Sequence, residues 1–154
     1  MIEAGTPAPE FSLPDQDGNT VSLEDLKGQT SVLVFYPLDF SRVCSDQLSV
    51  YQEVLSDLEA AGTKLYGISV DSAFCHKAFR EHLNLTIPLL ADFHPKGEVS
   101  SKFGVYSNKH GCTGRALVLI DADGIVRWSY VSPVGINPGA DGILRALESL
   151  EDGG

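Results

Sequence analysis

The residues best placed for chemistry lie in one stretch, Tyr36-Pro37-Leu38-Asp39-Phe40-Ser41-Arg42-Val43-Cys44-Ser45-Asp46-Gln47-Leu48. An apolar, β-branched run, Ser31 to Tyr36, stops at Pro37. A loop follows, and Cys44 opens a helical pattern. That places the thiol at the carboxyl end of a strand, where open α/β sheets hold their sites. It also places the sulfur in the first turn of a helix. Unpaired N–H groups and the positive end of the macrodipole stabilise a thiolate there. The thiolate is the nucleophilic form of cysteine, so Cys44 is the candidate reactive group. The competing reading is an inert buried cysteine, a common fate of this residue.

The other two cysteines are weaker candidates. Cys75 stands at the start of a second helix. It could resolve an oxidised Cys44, fill a helix start or meet another subunit. Cys112 precedes Arg115 by three residues. At about 3.3 Å per extended residue it lies within about 10 Å of that arginine, so a resolving role is reachable. The plainer reading is a loop filler. A thioredoxin-type disulfide exchanger needs Cys-x-x-Cys, and Cys44 is followed by Ser45, Asp46 and Gln47. The pairs His110-x-Cys112 and Cys75-His76 lack four-ligand zinc spacing, so no metal is expected. His76 is expected to cap or pack at its helix start.

The elements that must position Cys44 follow from the apolar pattern. Phe11 to Leu13 and Thr20 to Leu23 flank a Gly-containing turn and predict an N-terminal β-hairpin. Glu24 to Gly28 reads as one helical turn. Ser31 to Tyr36 and Leu65 to Val70 predict strands buried on both faces. Between them Leu48, Tyr51, Val54, Leu55 and Leu58 fall at helical spacing over about Ser45 to Ala61. Asp71 or Ser72 can cap a helix over Ala73 to Leu83. Pro88 to Ala91 reads as a short strand, with a brief helix near Pro95 to Phe103. Arg115 to Asp121 and Ile125 to Val131 form a hairpin about Asp123-Gly124, and Gly139 to Leu150 a last helix. This βββαβαβαββα order predicts an α/β protein with a mixed central sheet and helices on both faces, as in thioredoxin-like folds.

Composition bounds the function. A chain of 154 residues predicts one domain, residues 1–154. Eleven basic against 21 acidic side chains give a net charge of −10. Such a surface repels phosphate backbones and anionic lipid, so neither nucleic acid nor membrane is an expected partner. No apolar run approaches the ~20 residues of a membrane span. Met1 to Pro7 lacks the basic and apolar segments of a secretory signal, and three cysteines are too few for a disulfide framework. A reducing cytoplasm is the expected setting.

Pro37, Ser41 and Cys44, spaced Pro-x-x-x-Ser-x-x-Cys, resemble the active-site signature of the peroxiredoxins. The likeness runs along nearly the whole chain. Gly5 to Leu13 resembles the family's opening, and Val70 to His76 its strand-to-helix corner. Pro88 to Asp92 resembles its next strand, and Gly114 to Asp121 the strand that begins with its active-site arginine. The resemblance implies a thioredoxin-like fold and a thiol-dependent peroxidase acting on hydrogen peroxide and organic hydroperoxides. It implies Cys44 as the thiolate that becomes a sulfenic acid, and Ser41 as a hydroxyl that donates and accepts. It implies Arg115 as a fixed charge and Pro37 as a shield. It implies no cofactor, and a thioredoxin- or glutaredoxin-like reductant or a small thiol. A homodimer through the surfaces near Cys44 and Cys75 is also implied.

The sequence departs from the pattern at several positions. Arg42 stands where many relatives have proline, and Gln47 where many have glutamate. Ser49 stands where some bacterioferritin-comigratory-type members keep a resolving cysteine. Overall the pattern most resembles the alkyl hydroperoxide reductase E-type branch. A non-enzymatic alternative is a redox-sensing or chaperone-like protein that uses Cys44 as a switch without turnover.

Overall fold

Strand β3 (Thr30–Phe35) is the centre of the molecule because its side chains feed two cores. Val32 and Val34, with Tyr36 beyond the strand end, point into one core, and Leu33 and Phe35 into the other. This is the period-2 alternation of a strand covered on both faces. Full burial of each such side chain contributes roughly 1.5–3 kcal/mol. The computed structural model describes residues 1–153, with side chains through Leu150.

β3 pairs in parallel with β4 (Thr63–Ser69), which pairs in parallel with β5 (Leu89–Ala91). On its other side β3 pairs antiparallel with β8 (Arg115–Ile120), and β8 antiparallel with β9 (Val126–Ser132). The mixed five-stranded sheet therefore runs β5-β4-β3-β8-β9. Helices α2 (Arg42–Glu53), α3 (Leu55–Ala60), α4 (Ala73–Leu83) and α6 (Asp141–Gly153) supply one core with Leu48, Leu58, Phe79 and Ile143. The other core takes Leu26 of α1 (Leu23–Leu26), Val99 of α5 (Glu98–Lys102) and Leu13 of the hairpin β1 (Ser12–Pro14) and β2 (Thr20–Ser22). The expected mixed sheet, two helical faces and N-terminal hairpin are all present.

Most element boundaries shift by a few residues from expectation, and the differences near the site are the informative ones. The helix after β3 starts at Arg42, three residues early, so Cys44 is its third residue. It breaks at Val54, where α2 gives way to α3. Leu48, Tyr51, Leu55 and Leu58 enter one core across the break, so periodicity hides it. The strand begins at Leu89 rather than Pro88. A small hairpin of β6 (Tyr106–Ser107) and β7 (Cys112–Thr113) has strands of two residues, too short for alternation to signal.

Candidate active site

The sheet register brings two distant residues together. β8 runs antiparallel to β3 with Ala116 opposite Phe35, so Arg115 sits at the carboxyl end of β3. The chain leaves that end of β3, loops and starts α2, which carries Cys44. Arg115 Nη2 donates to Cys44 Sγ at 3.2 Å. Both residues are buried, 2% and 0% exposed. As third residue of α2, Cys44 has a backbone N–H with no acceptor within its helix.

The guanidinium is held from two further sides. Nη1 donates to Gln47 Oε1 at 2.6 Å, one turn beyond Cys44 on α2. Nε and Nη2 donate to the Val134 carbonyl at 3.0 and 2.8 Å, in the segment after β9. These four bonds use four of the five guanidinium donors and leave one Nη1 hydrogen unbonded. Gln47 is itself fixed: its Nε2 donates to Tyr51 Oη at 2.9 Å, and Tyr51 donates to the Gly139 carbonyl at 3.1 Å. Burial pushes the Tyr51 phenol up to about 12, so it stays a neutral hydroxyl.

The loop entering α2 is anchored at its other end. Asp39 accepts from Tyr36 Oη at 2.6 Å and lies 2.7 Å from His76 Nδ1, with Asp39 7% and His76 0% exposed. His76 Nε2 lies 3.0 Å from the Leu90 carbonyl. Both ring nitrogens of the buried imidazole are therefore within hydrogen-bond reach of an oxygen. The Asp39 N–H donates to Asp71 Oδ2 at 2.8 Å. Burial and Asp39 hold the Tyr36 phenol well above its ordinary range. Gly67 of β4 lets the sheet approach the Tyr36 ring, since a Cβ there would lie 2.6 Å from Leu89 and 3.2 Å from Tyr36. Within the loop Phe40 adopts φ +66°, a left-handed conformation costly for an aromatic residue.

The structure places the four expected site residues unequally. Cys44 and Arg115 are in contact. Pro37 is half-buried at the loop start. Ser41 is the N-cap residue of α2, but its hydroxyl donates to the Leu38 carbonyl at 2.9 Å and makes no hydrogen bond to Cys44. Arg42 is exposed. Ser72 caps α4 by accepting from the Cys75 N–H. All three cysteines are free. Burial, then Asp39 and Asp71, push the Cys75 thiol up to about 12. Burial also raises Cys112, whose thiol feels Cys44.

Sequence reasoning missed Tyr51, Val134, Asp39 and the partners of His76, whose expected packing at its helix start is present. Val134 and Gly139 act through backbone carbonyls, which side-chain identity does not reveal. Asp39 did carry a signal, an acid set between Leu38 and Phe40 in a loop next to a buried strand.

The comparisons with known proteins agree with this geometry. The model of the AhpC/TSA family matches residues 4–129. Alkyl hydroperoxide reductase E of Mycobacterium tuberculosis is 34% identical, over 88% of this chain and 89% of its own. The chloroplastic peroxiredoxin Q of Suaeda salsa is 35% identical, over 97% and 69%. The crystal structure of Enterococcus faecalis AhpC superposes with a TM-score of 0.91 at 30% identity, covering 99% of this chain and 94% of that one. With a cysteine at a helix start against a buried arginine, and with these relatives along its length, the chain belongs to the AhpC/TSA family and is a peroxiredoxin, an oxidoreductase of the thiol peroxidase class.

Proposed function

We propose that Cys44 is the peroxide-reducing thiolate and that an external thiol completes the cycle. The observation that carries this is the Arg115 Nη2 to Cys44 Sγ bond inside a buried helix start. The sulfur attacks one peroxide oxygen, the S–O bond forms and the O–O bond breaks. The second oxygen leaves as hydroxide or alkoxide and takes a proton. Cys44 is oxidised by two electrons to a sulfenic acid. The unbonded Arg115 Nη1 hydrogen and the Cys44 N–H are donors for the oxygen that gains charge, the kind of preorganised contribution that is usually largest in catalysis. Pro37 shields the sulfur, and Ser41 serves the site once its hydroxyl turns from the Leu38 carbonyl.

A first thiol converts the sulfenic acid to a mixed disulfide with release of water, and a second releases Cys44. Cys75, with its thiol pushed up to about 12, is poorly suited to that attack. A thioredoxin- or glutaredoxin-like protein, or a low-molecular-weight thiol, is the reductant. Peroxide supplies the electrophile, so the cycle needs neither metal nor organic cofactor. Burial of Cys44 favours hydrogen peroxide and small organic hydroperoxides. Among the described residues, no helix is long and apolar enough to cross a membrane. A cytoplasmic setting accords with three free thiols. Exposed Phe40, Phe74 and Phe93, around the loop and the start of α4, support a homodimer through this face.

The test treats reduced protein with one equivalent of hydrogen peroxide and a sulfenic-acid trap. A trapped adduct at Cys44, with Cys75 and Cys112 free, is expected. Loss of two thiols without an adduct would replace the external thiol by an internal one. Cys44→Ser is expected to stay folded and to lose all peroxide turnover with a thiol reductant. Retained turnover would overturn the assignment. Accumulation of oxidised protein without turnover would favour the switch reading.

A further inference from the structure

Arg115 is a permanently charged side chain buried among neutral acceptors. It is 2% exposed, and its oxygen partners are the Gln47 amide and the Val134 carbonyl. Among the described residues its guanidinium pairs with no carboxylate, the ion pairs lying elsewhere in the fold. A buried charge without a counter-ion is strongly unfavourable. The remaining partner is the Cys44 sulfur at 3.2 Å.

The other ionisable groups near the pair do not supply an anion. Tyr51, on α2, stays neutral because burial raises its phenol to about 12. Cys112, on β7, is raised by burial and by Cys44. Arg42 and Asp46, on the outer side of α2, are exposed to water. Gln47, by contrast, is fully buried and bonded directly to the guanidinium. Its orientation is fixed, because a guanidinium only donates and so faces Oε1, while Nε2 donates to Tyr51.

We infer that Gln47 is a positioning residue that sets the charge of the buried site: being neutral, it leaves the Cys44 thiolate as the counter-ion of Arg115, and a carboxylate at position 47 takes that role from the sulfur. The inference rests on the pairing of Cys44 with Arg115 described above. With glutamine the reduced site holds one cation and one anion and is neutral. With glutamate it would hold two anions for one cation, and the thiolate would be the less favoured of them.

The test needs no peroxide. Cys44 alkylation by iodoacetamide is followed against pH by peptide mass spectrometry in the parent, Gln47→Glu and Gln47→Met. The midpoint is expected to rise by about one pH unit or more in Gln47→Glu, the scale of a neighbouring charge. Below the midpoint that is about a tenfold slower reaction. Gln47→Met keeps the neutral charge but loses the amide, and is expected to stay with the parent. A role confined to shape predicts the reverse order, because methionine loses both hydrogen bonds and glutamate preserves the outline. Cys44→Ser is then made in the parent and in Gln47→Glu. It is expected to lower the melting temperature more in the parent than in the Gln47→Glu background, where the introduced carboxylate already balances Arg115.

A Gln47→Glu midpoint equal to the parent's would overturn the inference, as would a Gln47→Met shift as large as the glutamate's. A midpoint shift in a protein that consumes no peroxide would remove the peroxidase reading and keep the charge assignment. Turnover without a shift would do the opposite.

Discussion

The two ends of the Cys44 loop are both tied by buried polar groups, in opposite ways. At the β3 end, Asp39 meets His76 and the Tyr36 hydroxyl, and His76 spends its other nitrogen on Leu90. Acid and base stand side by side there and each has its partners. At the α2 end, Arg115 is bonded to two neutral carbonyls and to a sulfur whose charge depends on its protonation and oxidation state. The first cluster is closed and holds the loop. The second is completed only by the reactive atom. A buried polar group that is fully paired favours a unique structure, whereas one that waits for charge is suited to chemistry.

The largest expected effect breaks the α2 end. Arg115→Ala removes the charge and the donors together. The rate constant for Cys44 oxidation, read by stopped-flow fluorescence, is expected to fall by about 10²–10³-fold, the usual loss for one preorganised donor. An unchanged rate would make this cluster as purely structural as the other.

The β3 end should fail differently. His76→Leu leaves the Asp39 carboxylate buried beside Tyr36 alone. Breaking a buried pair costs about 3–5 kcal/mol, so urea denaturation should show a loss of that order. Replacing Asp39 and His76 together by leucine should recover part of it, since no unpaired charge remains. If His76→Leu instead left stability intact and slowed Cys44 oxidation as much as Arg115→Ala, the contrast between the two ends would be lost. A milder change, Tyr51→Phe, removes one hydroxyl that bridges Gln47 and Gly139. It is expected to cost about 1 kcal/mol, with a small drop in oxidation rate as Gln47 loosens.

Much of this contrast was legible before the structure, but unevenly. β3 and β4 were readable because buried parallel strands appear as unbroken apolar runs. The α4 start was readable because Ser72 is a side-chain cap with a local signature. Cys44 stood out as a thiol at a strand-to-helix junction, and Arg115 through the family likeness of its strand. Their contact depends on the register of β3 against β8, a long-range pairing that local pattern does not encode. The supports of Arg115 were hidden for a second reason. Val134 and Gly139 contribute carbonyls, and any residue at those positions offers one. His76 had the opposite problem, since its type was visible but its partner lay 37 residues away.

The smallest expected effect separates Cys75 from both ends. Its thiol is pushed up to about 12 by burial and by Asp39 and Asp71, whereas an unfolded cysteine titrates near 8.5. The native chain keeps a proton that the unfolded chain releases. The contribution to stability is therefore complete below about pH 8.5 and is lost as pH rises toward 12. Cys75→Ser should leave melting temperature and peroxide turnover at pH 7 unchanged. It should flatten part of the fall in melting temperature between about pH 9 and 11. Part of the fall should remain, because Tyr51 and Cys112 are also raised by burial and lose stability over the same range. Loss of turnover at pH 7 in Cys75→Ser would move this cysteine into the catalytic cycle and would make the α4 start, rather than the α2 start alone, part of the redox chemistry.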